Sequence, residues 1–251
     1  MPQIVSQRDA RAVKKLPFCY LCGNAFQGRD DVTDDHIPPQ AAFLQEDRED
    51  FPLVLPAHKG CNHVFNLEDE VFGQLIGLGH ETEQQQDRLT IYGGSDKAGH
   101  TFALLENFDL RGAIQRWVMA FHAALYQEPL PPLTRFSTQT PIPAGTVVDG
   151  VVIPDTDMPQ FLDYAEQIEI NAQLGLVDCI RANNGSLTYQ CCWQRSDGGP
   201  WLAFYKLDVY AWSQLGDIKN FRLRPCVGAY ATPNHIPALA TRGTELWSVR
   251  T

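Results

Sequence analysis

Apolar positions recur at three- and four-residue intervals in three stretches of the chain. Ala113, Ile114, Trp117, Val118, Phe121 and Leu125 form one such stripe and predict a helix over residues 109–127, with Asp109 as its cap. Val71, Phe72, Leu75 and Ile76 predict a second over residues 62–75, and Phe161, Leu162, Ala165 and Ile168 a third over 159–172. Period-two and β-branched runs predict strands at Leu53-Val54-Leu55, at 146–148 and 151–153 around the turn dipeptide Asp149-Gly150, and at 186–194 and 201–210. The last two are joined by Ser196-Asp197-Gly198-Gly199. Five prolines within 129–143 read as an extended linker. Gly77, Gly79 and Gly93-Gly94 punctuate the chain near residue 78. The expected fold is α+β. A small unit over residues 1–77, with Leu16, Phe18, Tyr20 and Phe26 in its core, precedes residues 78–251, which hold a helix, the linker and a β-rich part from 144.

Ligand-type side chains crowd into residues 16–70. Cys19 and Cys22 are two residues apart, and so are His58 and Cys61. Each spacing lets one tight turn aim two side chains at one ion, so the four read as a closed structural zinc site. Closing the long loop between them anchors a unit whose own core is small. The alternatives are a chance pair of cysteine pairs, or buried apolar cysteines.

Between these pairs stands Asp34-Asp35-His36-Ile37-Pro38-Pro39. Adjacent residues of a strand point to opposite sides, so Asp35 can hold a metal while His36 faces a substrate. Asn62 and Asn66 stand at i and i+4 in the expected helix and share a face, with Asp69 and Glu70 a turn beyond. Oxygen ligands of this kind suit magnesium or manganese rather than a second zinc.

Cys-x2-Cys, Asp-His-Ile-Pro-Pro, Leu-Pro-Ala-x3-Cys-Asn and Phe-Asn-x2-Asp-Glu together resemble the HNH endonucleases, whose ββα-metal core carries a structural zinc. The resemblance covers about residues 16–75. It implies a zinc-stapled ββα-metal domain that hydrolyses phosphodiester bonds in nucleic acid, DNA foremost. His36 would be the general base, Asp35 and Asn62 would hold the catalytic magnesium or manganese, and Asn66 would be a further ligand or polar support. Two positions depart from the family's pattern. The Asn that orients the catalytic His would fall near Pro52 or Leu53, where only a backbone carbonyl can substitute, and His58 stands where a fourth zinc Cys is usual.

Composition qualifies this picture. The net charge is −10, with −5 in residues 1–70, which argues against broad nonspecific binding of a duplex. Arg8, Arg11, Lys14 and Lys15 nevertheless gather within residues 1–15, either as a phosphate contact or as a solvated amphipathic turn. No apolar run reaches the length of a membrane span, and residues 1–15 carry no apolar signal segment, so a cytoplasmic protein is expected. Cys179, Cys191, Cys192 and Cys226 lack knuckle spacing and read as buried thiols. His122 sits beside an apolar stripe and reads as a packed histidine. Trp193, Trp201, Tyr205, Tyr210 and Trp212 read as sheet core in preference to a base-stacking platform. No repeat, Gly-rich phosphate loop or Ser-His-Asp pattern is present. The competing function is a noncatalytic, zinc-stabilised adaptor for nucleic acid or protein. A defence or mobile-element complex is one setting for either, with a protein partner or a second copy bound through the C-terminal region.

Overall fold

The computed structural model describes residues 2–43, 48, 52–79, 91–95, 101–105, 110–133, 135–139, 145–148, 151–154, 158–195, 199–209, 226–232 and 235–242. For 72, 74–79, 91–95, 101–105, 139, 145–148, 151–154 and 158–163 it describes the backbone alone. The architecture is mixed α+β. In chain order the elements are β1 (Gln3–Ile4), α1 (Gln7–Val13), β2 (Val32–His36), β3 (Val54–His58), α2 (Lys59–His63), α3 (Asn66–Gly79), β4 (Ile91–Ser95), β5 (Thr101–Leu105), α4 (Leu110–Tyr126) and β6 (Arg135–Gln139). They continue as β7 (Gly145–Val148), β8 (Val151–Pro154), α5 (Met158–Gln173), β9 (Asp178–Ala182), β10 (Leu187–Arg195), β11 (Trp201–Val209) and β12 (Cys226–Thr232).

Six strands form the main sheet in the order β1-β9-β10-β11-β12-β6. All neighbours are antiparallel except β1, which adds parallel to β9 through Gln3↔Cys179 and Ile4↔Ile180. Side-chain alternation gives the sheet two buried faces. Cys191, Ala203, Tyr205 and Tyr230 face the core that contains α4, whereas Cys192, Phe204 and Ala229 pack with Ile168 of α5. The vicinal cysteines are thus both fully buried, on opposite faces. Trp193 and Tyr205 are core residues and Trp201 is half-buried, while Tyr210 and Trp212 lie outside the described residues.

Helix α4 is the centre of the molecule. Its pattern predicts one apolar face, but twelve of its seventeen residues are buried, Arg116 and His122 among them. The reason is that it is covered twice. The sheet lies on one side, and Leu16, Phe18, Tyr20, Ile37, Phe43, Leu53 and Leu55 belong to the same hydrophobic cluster. Residues on both sides of position 78 therefore share one core.

Three further expectations are corrected. The helix over 62–75 is two helices, α2 and α3, separated at Val64 and Phe65. The run 129–143 is not only a linker, because it contains β6, which pairs antiparallel with β12. Gly93 and Gly94 do not break the chain but lie within β4, paired with β5. The expected cap Asp109, the turn Asp149-Gly150 and the acidic residues Glu46, Asp47, Glu49 and Asp50 lie outside the described residues.

Candidate metal centre and the His36 face

The first cysteine pair sits on a tight turn. Cys19 N–H bonds the Asn24 carbonyl, Gly23 N–H bonds the Cys19 carbonyl, and Phe18 bridges Ala25. Gly23 has φ +75°, a conformation that a side chain disfavours, so glycine suits the residue that turns the chain back behind Cys22. The second pair comes from the end of β3 and the following α2, where His58 closes the strand and Cys61 lies in the first turn of the helix. Pairing of β2 with β3 places Val32 opposite His58 and Asp35 opposite Leu55.

One ligand atom from each of Cys19, Cys22, His58 and Cys61 lies within 4.8 Å of all the others. Cys22 Sγ is 3.3 Å and Cys61 Sγ 4.0 Å from His58 Nδ1. Ligands about 2.3 Å from a tetrahedral ion stand about 3.8 Å apart, so the cluster fits zinc. The protonation chemistry agrees. Burial and the neighbouring thiols push Cys61 up to about 12. At Cys22, burial is outweighed by hydrogen bonds from Asn24 N–H, His58, Cys19 and Cys61, which hold the thiol below its ordinary value. One thiolate forms readily and the next is resisted, and a dication removes that resistance. His58 N–H also reaches Cys19 Sγ at 3.3 Å.

Asp31 completes the centre. Its Oδ2 is 3.2 Å from His58 Nε2, the ring nitrogen opposite the one facing the thiols. A carboxylate there fixes the tautomer that leaves Nδ1 free to bind metal. Phe26 packs edge-on against the same ring, with centroids 5.0 Å apart. Neither role was legible from spacing. Asp31 lies in an acidic run, and only the β2–β3 register brings it beside His58.

Strand β2 turns its next two residues apart. Asp35 is 5% exposed and accepts a 2.5 Å hydrogen bond at Oδ2 from the Tyr20 hydroxyl. Burial lifts its carboxyl to about 6, against the Tyr20 hydrogen bond and the charge of Arg116, with Asp69 adding to the rise. Arg116 reaches from α4 to ion-pair with Asp69 of α3, and its guanidinium lies 4.7 Å over the Phe65 ring. Tyr20, expected only as core, thus has a polar partner at the site.

His36 faces the other way. Its Nε2 is 2.9 Å from the Gln40 carboxamide. Burial, and then Lys14, hold the imidazole below its ordinary value, with Asp34 opposing them. Near Pro52 and Leu53, where a backbone carbonyl was the expected substitute for an orienting Asn, the Leu53 carbonyl accepts Ile37 N–H at 3.0 Å.

The two expected amide ligands are not on one helical face. Asn62 lies in α2 and its Oδ1 is buried without a hydrogen-bond partner. Asn66 opens α3 and is exposed, its carboxamide 3.1 Å from His63 Nδ1. The break at Val64 and Phe65 separates them. Among the described residues, the Cys/His centre is the cluster of metal-type ligands that comes together. Among those residues, too, no helix is long and apolar enough to cross a membrane. Comparisons with models of protein families, with curated proteins and with solved structures find no match.

Proposed function

We propose that the protein is a metal-dependent endonuclease of the HNH type that hydrolyses phosphodiester bonds in DNA. The observation that carries this reading is the Asn62 side-chain oxygen, buried and without a partner one residue after the zinc ligand Cys61. An orphaned buried carbonyl costs about 1–3 kcal/mol, and a hard cation is the partner such an oxygen suits. Asp35 retains one carboxylate oxygen besides the one that Tyr20 binds. Asp35 and Asn62 would hold magnesium or manganese, and Asn66 stands apart from them as polar support bonded to His63. When bound, the ion would supply neutralisation of charge on the phosphate.

The protein's own part in the chemistry falls to His36. Burial keeps its imidazole neutral at pH 7, so it can take a proton from water. Gln40 holds one ring nitrogen. A carboxamide can turn either end toward the ring. With its oxygen accepting from Nε2–H, the His36 lone pair lies on Nδ1, and Gln40 does the work of the missing orienting Asn. General-base catalysis of this kind is worth roughly 10²- to 10⁴-fold.

A second reading, a zinc-stabilised adaptor without catalysis, is favoured by the Tyr20–Asp35 hydrogen bond, which occupies one of the two Asp35 carboxylate oxygens. Nicking of supercoiled plasmid by the wild type and by His36→Ala, with magnesium, manganese or nickel, separates the two. Metal-dependent nicking lost in His36→Ala at unchanged zinc content is the expected result. No nicking by either protein with any of the three metals leaves the adaptor.

A further inference from the structure

The net charge is −10, yet four of the twenty basic residues fall within eight positions on and just after α1. The helix buries Ala10 and Val13, each 4% exposed, and so docks by one narrow face. Its single acid, Asp9, is turned back to the start of the helix, where it accepts 2.6 Å from the Ser6 hydroxyl. Arg8, Arg11, Lys14 and Lys15 are all exposed. Arg8 and Arg11 are three residues apart on the helix and so share a side, and Lys14 and Lys15 follow in the turn that closes it.

This stripe ends beside the reacting face. Lys14 Nζ is 3.5 Å from Asp34 Oδ2. Asp34 and His36 are at i and i+2 of β2, which puts them on the same side of the strand, about 7 Å apart along it. The Lys14–Asp34 pair is exposed on both sides and worth about 0–1 kcal/mol, so a phosphate can displace it. The outward face of α1 carries no large apolar residue to insert into a lipid surface.

We propose that Arg8, Arg11, Lys14 and Lys15 of this stripe dock the phosphodiester backbone of DNA and lead it to the His36 face of β2. The proposal rests on the nuclease reading for where the strand goes next, but docking is measurable without cleavage. Local cations answer the objection raised by the acidic chain, because residues 7–15 carry four bases against one acid, Asp9, and the acid at the end of the stripe, Asp34, is already paired with Lys14.

The test is fluorescence anisotropy of a short labelled duplex in the His36→Ala background, across about 50 to 200 mM KCl. The stripe variant is Arg8→Gln/Arg11→Gln/Lys15→Gln. The control, Arg135→Gln/Arg181→Gln/Arg195→Gln, removes equal charge from the sheet. Circular dichroism and zinc content establish that both fold. The expected result is an affinity loss of about 30-fold in the stripe variant and a salt slope shallower by roughly 2–3, with the control close to the parent. Equal behaviour of stripe variant and control overturns the proposal, as does no duplex binding by the parent. Binding of phosphatidylserine vesicles in preference to the duplex overturns it too. Stripe-dependent binding without plasmid nicking by the wild type removes the nuclease reading and leaves the docking surface. Nicking without stripe dependence does the reverse.

Discussion

Asp31 Oδ2 and His58 Nε2 lie 3.2 Å apart, on the far side of an imidazole whose Nδ1 is 3.3 Å from Cys22 Sγ. Thiol, imidazole and carboxylate follow one another, so the acid would act on a bound metal through the ring. Asp31→Ala is expected to weaken zinc binding by about 10- to 100-fold while leaving the zinc-loaded fold unchanged. Competition with a chromogenic chelator measures it. Wild-type affinity in the variant would make Asp31 an ordinary surface acid.

Removing a ligand has a larger consequence. Cys19 is fully buried, and it belongs to the cluster that also holds Trp117 and Phe121 of α4. Cys19→Ser should lose zinc and loosen the unit from Leu16 to Cys61, and through the shared core it should lower the melting temperature of the whole chain. Chelation of the wild type should reproduce the variant's melting curve. A variant that keeps stoichiometric zinc and melts as the wild type does would remove the metal from the account of folding.

Arg116 joins α4 to α3 through a side chain only 2% exposed. Arg116→Met keeps the volume and strands the Asp69 carboxylate. Breaking a buried pair from one side costs about 3–5 kcal/mol, and the low end applies because the Asp69 side chain is 23% exposed. The double variant Arg116→Met/Asp69→Leu should recover a large part of the loss in urea unfolding. Equal stability of single and double variants would show that the pair contributes packing alone.

The Cys19, Cys22, His58 and Cys61 cluster was legible because its geometry is local. An x2 spacing on a tight turn or a strand end needs no knowledge of the rest of the chain. Asp31 and Gln40 were not legible, because the strand register and the turn after β2 bring them to their histidines. The Asn62–Asn66 spacing suits one helix, yet the chain breaks between them and turns Asn66 toward His63. In 129–143 the prolines flank a proline-free run, Arg135 to Gln139, and a sheet edge tolerates such neighbours. The α4 stripe told that the helix packs, but not that it packs on two sides. That depends on a sheet that includes residues more than one hundred positions away.

His122 links stability to pH. It is fully buried, its Nδ1 is 3.3 Å from the Tyr230 hydroxyl, and its Nε2 is 3.6 Å from Glu128 Oε1, too long for a hydrogen bond. The same Glu128 oxygen is engaged by His235 at 2.5 Å. Burial foremost holds the His122 imidazole below its ordinary value, against the pull of Glu128, with His235 adding to the depression. The folded protein therefore refuses a proton that the unfolded chain accepts near pH 6.5. Stability from this residue is level above that pH and falls as the pH drops through it, so its contribution is smaller at pH 5.5 than at pH 7.5. Asp35 works in the opposite sense. Its carboxyl, lifted to about 6, takes a proton in the fold before the unfolded chain does, which adds stability as the pH falls through 6. The wild-type profile mixes the two, so the informative quantity is the difference between wild type and His122→Gln in urea unfolding at the two pH values. The variant should lose less stability on acidification, or gain some. A profile parallel to the wild type's would show that His122 keeps in the fold the proton affinity it has in the unfolded chain.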